Sequence, residues 1–511
     1  MSRMPPHFSR FFALPLLLGL WLQAGLPACA QSLSPALRQA LSQAQLPETA
    51  LALWAAPVET GAAPWQQWRA EAPHNPASLT KLATTWAALE RLGPAWRWKT
   101  PVWLDGELDS DSGVLRGNLV IQGSGDPSLV LERLWLLLRR VQQAGVREIQ
   151  GDIVLDASAF APDPAGPGDF DGEPWRAGNV RPDALLFNYK SHQLLIRPEP
   201  AKSRAWLRLD TGLPLATPQV PLRAGPCADG RGRLRANWRE QPGQIAPLHL
   251  AGDWPAACGE HSWPLADPDP ASYNARLIES LWREAGGRLS GKARSGSAPT
   301  ERAPSFELLS PPLAELVRDI NKHSNNLMAE QLWLSLALQD GARPVDAEAA
   351  RSGLRQWLAQ RLPTTLGGTD WRLENGSGLA RGSLMSAQQL GELLRAAWAS
   401  PVMPELLASL PLAGEDGTMR RDPERFGAAR ARAHLKTGSL RDVAAIAGYL
   451  LRPDGQRLVV VALVQHERAG SARPVLDLAL REWATLAAPQ SKQGPKGPCQ
   501  NHAKRKVRTD C

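Results

Sequence analysis

Ser78 and Lys81 stand three residues apart in Asn75-Pro76-Ala77-Ser78-Leu79-Thr80-Lys81. On a helix that spacing puts both side chains on one face, a turn apart. Asn75 is a capping residue by type and Pro76 suits a first helical position, so the pattern predicts a helix that places Ser78 in its first turn and ends at Gly93-Pro94. Unpaired N–H groups at such a helix start favour negative charge. A serine there can attack a carbonyl while its own N–H meets the developing oxyanion. A lysine one turn on can accept the serine proton, provided burial and nearby cations lower its pKa. Alone the pair is weak evidence, because about two Ser-x-x-Lys matches arise by chance in a chain this long. A solvated Ser and Lys on an exposed turn would read the same way.

Two further short motifs bear on it. Lys436-Thr437-Gly438 is the only Lys-Ser/Thr-Gly in the chain and begins a stretch that runs into a C-terminal hairpin. Gly438 leaves room for a substrate backbone, while Lys436 and Thr437 can bind a carboxylate by charge and hydroxyl. Ser324-Asn325-Asn326 lies in a turn between two predicted helices, where a hydroxyl and an amide could relay a proton and hold a substrate amide. Ser272-Tyr273-Asn274 fits the same short pattern, but it follows Asp267-Pro268-Asp269-Pro270 and reads as a cap and first turn.

The elements that must position these residues follow from periodicity. Leu79, Leu82, Trp86, Leu89 and Leu92 form one apolar stripe on the Ser78 helix. Short β-like runs (119–122, 153–156, 194–197, 206–209) fill residues 97–267, interrupted by one helix at about 128–143. Helices return near 272–285, 311–322, 326–339, 346–361 and 386–398. Strands at 443–451 and 457–465 flank Pro453-Asp454-Gly455, and a last helix covers 472–486.

Taken in order, Ser-x-x-Lys, Ser-x-Asn and Lys-Thr-Gly form the signature of the penicillin-recognising serine enzymes. The long interval from Ser78 to Ser324 resembles the class C low-molecular-mass penicillin-binding proteins, the penicillin-binding protein 4 type of D-alanyl-D-alanine carboxypeptidase/endopeptidase. The resemblance runs along nearly the whole chain after residue 30. It includes Gly123-Ser124-Gly125-Asp126-Pro127-Ser128-Leu129 and Leu412-Ala413-Gly414-Glu415-Asp416-Gly417-Thr418. It also includes Glu374-Asn375-Gly376-Ser377-Gly378-Leu379-Ala380-Arg381, where Asn375 stands for the family's usual Asp and Ala380 for its usual Ser.

The resemblance implies an α/β (α+β) fold. A transpeptidase-like unit (31–96 and 268–488), with an antiparallel sheet flanked by helices, is split by a mostly β insertion (97–267) carrying a nested subdomain at about 190–262. It implies Ser78, Lys81, Ser324 and Asn326 as catalytic residues. Lys436, Thr437, Gly438 and Ser439 would bind substrate, with Asp156, Phe160, Arg381 and Arg441 shaping a side-chain pocket. The implied partners are peptidoglycan peptides and β-lactams, and no cofactor or metal is expected. The family's disulfide fits Cys227 and Cys258, which the sequence alone also reads as a pair or as two free thiols.

Composition narrows the field. At 43% hydrophobic and 21% charged the chain is globular. Its +8 charge is concentrated in the last two dozen residues, and no zinc-finger or RNA-binding pattern appears, so nucleic acid is not expected as a partner. No His-Glu-x-x-His and no Gly-x-Ser-x-Gly elbow is present, which argues against a metallohydrolase and a Ser-His-Asp hydrolase. A β-lactamase would need a Glu-containing loop, which no segment resembles. A non-catalytic wall-binding protein would not be expected to retain Ser78, Lys81, Asn326 and Lys436.

Residues 1–30 read as a signal peptide: Arg3 and Arg10, the apolar run Phe11–Leu22, then Ala28-Cys29-Ala30. A lipid anchor at Cys29 is the competing reading. Export to the periplasm follows from either, with peripheral contact to membrane or cell wall, and residues 489–511 read as a basic disordered tail. Oligomeric state is not legible.

Overall fold

The computed structural model describes residues 32–485 except 167, 214, 228–232, 238–247 and 367–369; the expected signal segment and basic tail lie outside the described residues. The chain is a mixed α/β protein. Its first sheet has five antiparallel strands in the order Ala433–Leu440, Val443–Leu451, Arg457–Gln465, Leu51–Pro57, Gln66–Trp68. The expected hairpin at Pro453-Asp454-Gly455 is present, with Gly455 in the left-handed region at φ 85°.

This sheet is buried on both faces, and strand alternation divides two cores. Ala52, Trp54 and Ala56 face one core with the helices Thr80–Leu92, Leu313–His323, Asn326–Gln339 and Ala387–Trp398. Leu51, Leu53 and Ala55 face the other with the helices Pro35–Gln43 and Arg473–Thr485. The near-continuous apolar run of Arg457–Gln465 is what a strand covered on both sides requires. The Thr80–Leu92 helix was expected to be buried along one stripe. Every residue from Thr80 to Leu89 is buried, because the helices Leu313–His323, Asn326–Gln339, Ala347–Arg361, Ala387–Trp398 and Met403–Ser409 pack around it.

Between Leu92 and Leu313 the chain builds further cores, while Trp98, Ala159, Phe160 and Ala184 of this stretch pack into the first. A seven-stranded sheet includes Lys99–Asp109, Val114–Gln122, Ile153–Asp156, Ala293–Ser295 and Phe306–Leu309. The helices Leu131–Gln143 and Pro270–Glu284 cover it through Leu134, Leu138, Leu277 and Trp282. Nested within is a five-stranded sheet containing Ser191–Glu199, Arg204–Leu209 and His261–Ala266, with its own core and the Cys227–Cys258 disulfide. The sequence reading returns the chain to the first unit at 268. The pairing carries the interruption on to Leu309, because Pro270–Glu284 packs into the seven-stranded sheet's core and Phe306–Leu309 pairs with Lys99–Asp109. Among the described residues no helix is long and apolar enough to cross a membrane.

Candidate active site

Ser78 does not sit inside a helix capped by Asn75. It lies in a 3-10 turn, Ala77–Leu79, and the α-helix begins at Thr80. Ala77 is the reason: its φ of 46° breaks the helical run just before the serine, a strained conformation for a residue with a Cβ. Asn75 holds that turn. Its Oδ1 accepts from Ala77 N at 2.8 Å, and its Nδ2 donates to the carbonyls of Ala380 (2.8 Å) and Arg381 (3.1 Å).

Lys81 is fully buried one turn on. Its Nζ lies 2.7 Å from Asn326 Oδ1, 2.7 Å from the Ser377 carbonyl and 3.1 Å from Ser78 Oγ. Asn326 Oδ1 and the Ser377 carbonyl can only accept. In the neutral amine they take both N–H groups, and the lone pair is left facing the Ser78 hydroxyl. Burial lowers the Lys81 pKa to about 7, with Glu330 acting in the opposite sense. Lys81 is therefore substantially neutral near pH 7, as a base must be.

The other two motifs converge on the same place. Ser324 ends the helix Leu313–His323 in the left-handed region at φ 55°, and Asn325 caps the next helix by accepting from Met328 N. This tight junction points Ser324 and Asn326 into one cleft. Lys436, also fully buried, donates to Ser324 Oγ at 2.7 Å and to the Thr437 carbonyl at 2.9 Å. Its pKa is pushed well down by burial and then by the charge of Lys81. Thr437 and Thr418 share a hydroxyl contact of 2.9 Å at the exposed edge. Gly438 lets the strand lie against the Ser78 turn: a Cβ there would stand 3.0 Å from the Pro76 carbonyl oxygen and 3.3 Å from Ala77 Cβ. Ser439 follows on the exposed side of that strand.

Four residues expected around a side-chain pocket separate. Arg381 is exposed, lines a cavity of about 410 Å³ beside Asn326 and Ser377, and stacks over Phe170 at 4.9 Å. Arg441 is exposed in the turn between Ala433–Leu440 and Val443–Leu451. Asp156 and Phe160 are not on that cavity's wall. Asp156 is buried, and its carboxylate accepts from Gln122 Nε2, Ser158 N and Ala298 N within the interrupting region. Phe160 is buried over Gly125. The wall is made instead by Asp163, Asp169, Phe170 and Arg181, from the loop that follows. That loop also sets the Gly178 carbonyl 3.5 Å from Asn326 Nδ2.

Sequence reasoning missed Glu330 and the role of Ser377. Glu330 is four residues after Asn326 on one helix, so helical spacing alone places it on the same face. Ser272, the rejected match, has its backbone N–H and hydroxyl bonded to the Asp269 carboxylate at a helix start, as a cap turn should. Among the described residues no cluster of His, Cys, Asp or Glu is arranged to hold a metal.

The profile of the D-Ala-D-Ala carboxypeptidase 3 (S13) family matches residues 33–484. The chain is similar to a D-alanyl-D-alanine carboxypeptidase of Actinomadura sp. (strain R39), 28% identical over 444 residues, 83% of this chain and 80% of that one. Penicillin-binding protein 4 of Haemophilus influenzae has a similar fold, with a TM-score of 0.72 at 21% identity over 89% of this chain and 99% of that one. The same protein has been solved with a novel β-lactam, and that structure gives a TM-score of 0.68 at 21% identity over 88% and 99% of the two chains.

Proposed function

Because the chain belongs to the D-Ala-D-Ala carboxypeptidase 3 (S13) family and is a serine D-Ala-D-Ala carboxypeptidase, we propose that it cleaves peptidoglycan stem peptides and crosslinks through an acyl-enzyme on Ser78. The observation that carries this reading is the placement of Lys81 Nζ against Ser78 Oγ with its two N–H groups otherwise engaged.

In the proposed reaction Ser78 Oγ attacks the carbonyl carbon of the penultimate D-alanine as its proton passes to Lys81. The carbonyl oxygen becomes an oxyanion at the N-terminal turn, where the Ser78 N–H is free of helical pairing. The peptide C–N bond then breaks. The leaving nitrogen takes the proton that Lys81 accepted, relayed through the Ser324 hydroxyl that Lys436 holds, and leaves as the amine, so Lys81 is neutral again. Water attacks the ester with Lys81 again as base, releasing the shortened peptide and restoring Ser78. Lys436 and Thr437 bind the substrate's terminal carboxylate, the Asn326 amide holds a substrate carbonyl, and Arg381 and Arg441 contact the side chain.

A β-lactam mimics the D-alanyl-D-alanine end and is expected to acylate the same serine. The segment 1–30 supports an exported, periplasmic protein, and export agrees with the Cys227–Cys258 pair. The test is labelling. A labelled penicillin should mark the wild type and leave Ser78→Ala unmarked, and label on that variant would overturn the assignment. Mass spectrometry of muropeptides after incubation then reports which bond is cut.

A further inference from the structure

Glu330 is a carboxylate of the cleft that no step above uses. It lies one helical turn after Asn326, and its Oε1 accepts from Ser377 Oγ at 2.6 Å. Ser377 is fully buried, and its carbonyl is one of the two acceptors that grip Lys81 Nζ. One residue thus touches Glu330 through its side chain and Lys81 through its backbone.

Its neighbours are fixed from several directions. Asn375 Oδ1 accepts from Gly378 N at 2.8 Å, and Thr84 Oγ1 donates to the Gly376 carbonyl at 2.8 Å, so the loop cannot easily change its distance from the nucleophile helix. The charged groups around the pair are few. The charge of Lys81 bears on Lys436 of the strand Ala433–Leu440, whose pKa burial and then Lys81 push down. Burial pushes the Glu330 pKa up, and the Ser377 hydroxyl, Lys81 and Arg181, itself paired with Asp163 at 2.9 Å, pull against that rise, while Arg351 and Glu374 line the same cavity.

Lys81 must become an ammonium when it takes the serine proton, in a fully buried place with a second lysine nearby. A buried charge of that kind needs an opposite charge within reach. Glu330 is positioned to supply it.

We propose that Glu330 is a positioning residue for Lys81: through Ser377 it fixes the carbonyl that holds the lysine, and its negative charge stabilises the ammonium formed when Lys81 accepts the Ser78 proton. This rests on the reading of Ser78 as nucleophile and Lys81 as base. It also gives the Ser377 position of Asn375-Gly376-Ser377-Gly378 a chemical task, the coupling of a charge to the base.

The experiment is the pH profile of penicillin acylation in wild type, Glu330→Gln and Glu330→Asp. Glutamine has nearly the same shape and keeps an acceptor oxygen for Ser377, so it removes the charge and little else. Complete labelling at high pH counts the folded sites in each preparation. Without the charge the Lys81 ammonium is less stable, so the acid limb of Glu330→Gln should move to lower pH by about one unit. The weaker base should also lower the plateau rate about tenfold. Glu330→Asp should keep its limb within about 0.3 units of wild type, since it retains the charge. A Glu330→Gln limb that coincides with wild type overturns the proposal, and so does an Asp limb displaced as far as the Gln limb. No labelling of the wild type at any pH would overturn the Ser78 reading itself, and this proposal with it.

Discussion

A methyl group on Gly378 would stand 1.9 Å from the carbonyl oxygen of Ala77, the residue before Ser78. Gly378 also has a φ of 79°, so an alanine there is strained even before the contact is counted. Gly378→Ala should displace the strained Ala77 turn. We expect a loss of at least about 100-fold in the second-order rate of penicillin acylation, because small misplacements of a nucleophile are that costly. Thermal unfolding should show a loss of about 2–4 kcal/mol. A variant with wild-type acylation would mean that this contact does not hold the serine.

Lys81, with a pKa of about 7, should govern the pH dependence of acylation. The base works only when neutral, so the rate should rise with pH and reach half its plateau near 7. Stopped-flow acylation between pH 5 and 9 checks this. A rate that is flat across that range would contradict a lysine base.

The same shift has a stability consequence of fixed sign. The folded pKa of Lys81 lies below its ordinary value of 10.5, so between about 7 and 10.5 the unfolded chain binds a proton that the folded chain does not. Stability therefore rises with pH through that window, and the cost of burying Lys81 is greatest at and below pH 7. Lys81→Met should abolish acylation yet raise stability, by up to a few kcal/mol at pH 6 and much less at pH 10. Chemical denaturation at the two pH values provides the comparison.

Lys436 is an anchor in the proposed reaction, and it is fully buried. Lys436→Gln should lower kcat/KM by more than about tenfold, roughly 1.4 kcal/mol. The loss should be larger on peptides with a free terminal carboxylate than on their amides. Equal losses on both would remove the anchoring role.

The Cys227–Cys258 bridge spans 31 residues of the nested unit, remote in sequence from the three motifs. Replacing both cysteines with serine should cost roughly 3–4 kcal/mol in that unit. Acylation of Ser78 should change less than about twofold, since no atom of the bridge belongs to the cleft. Unreduced peptide mapping should recover the linked pair.

The three motifs were legible because their residue types are specific and their order is rare. The hairpin at 443–465 was legible because long apolar runs flank an unmistakable turn. The Ser78 turn was misread because alanine gives no sign of a left-handed conformation, which Ala77 adopts under the pull of Asn75. Strand Lys99–Asp109 escaped notice because its Pro, Gly and Asp residues disguise an eleven-residue strand. The cavity wall at 163–181 has no periodicity at all, so only the folded chain shows that Asp163 and Phe170 line the cavity beside Asn326 while Asp156 and Phe160 do not. Glu330 was visible as spacing, but nothing in the sequence says that Ser377, 47 residues on, would meet it.

The first sheet seats Leu51–Pro57 beside Arg457–Gln465, and the Ser34 hydroxyl donates to Glu482 across 448 residues. A growing chain makes its nucleophile early and the partners of that nucleophile late. Until Lys436 and the last two strands have been synthesised, Ser78 and Lys81 lack three of the five strands of their sheet and the Lys436 side of the cleft. The interrupting units, whose strands pair among themselves, can form while the rest is still being made. The enzyme is thereby inactive for as long as it is incomplete: a chain cut between Leu309 and Ala433 should carry folded modules and an intact Ser-x-x-Lys, yet be unable to attack a peptide bond.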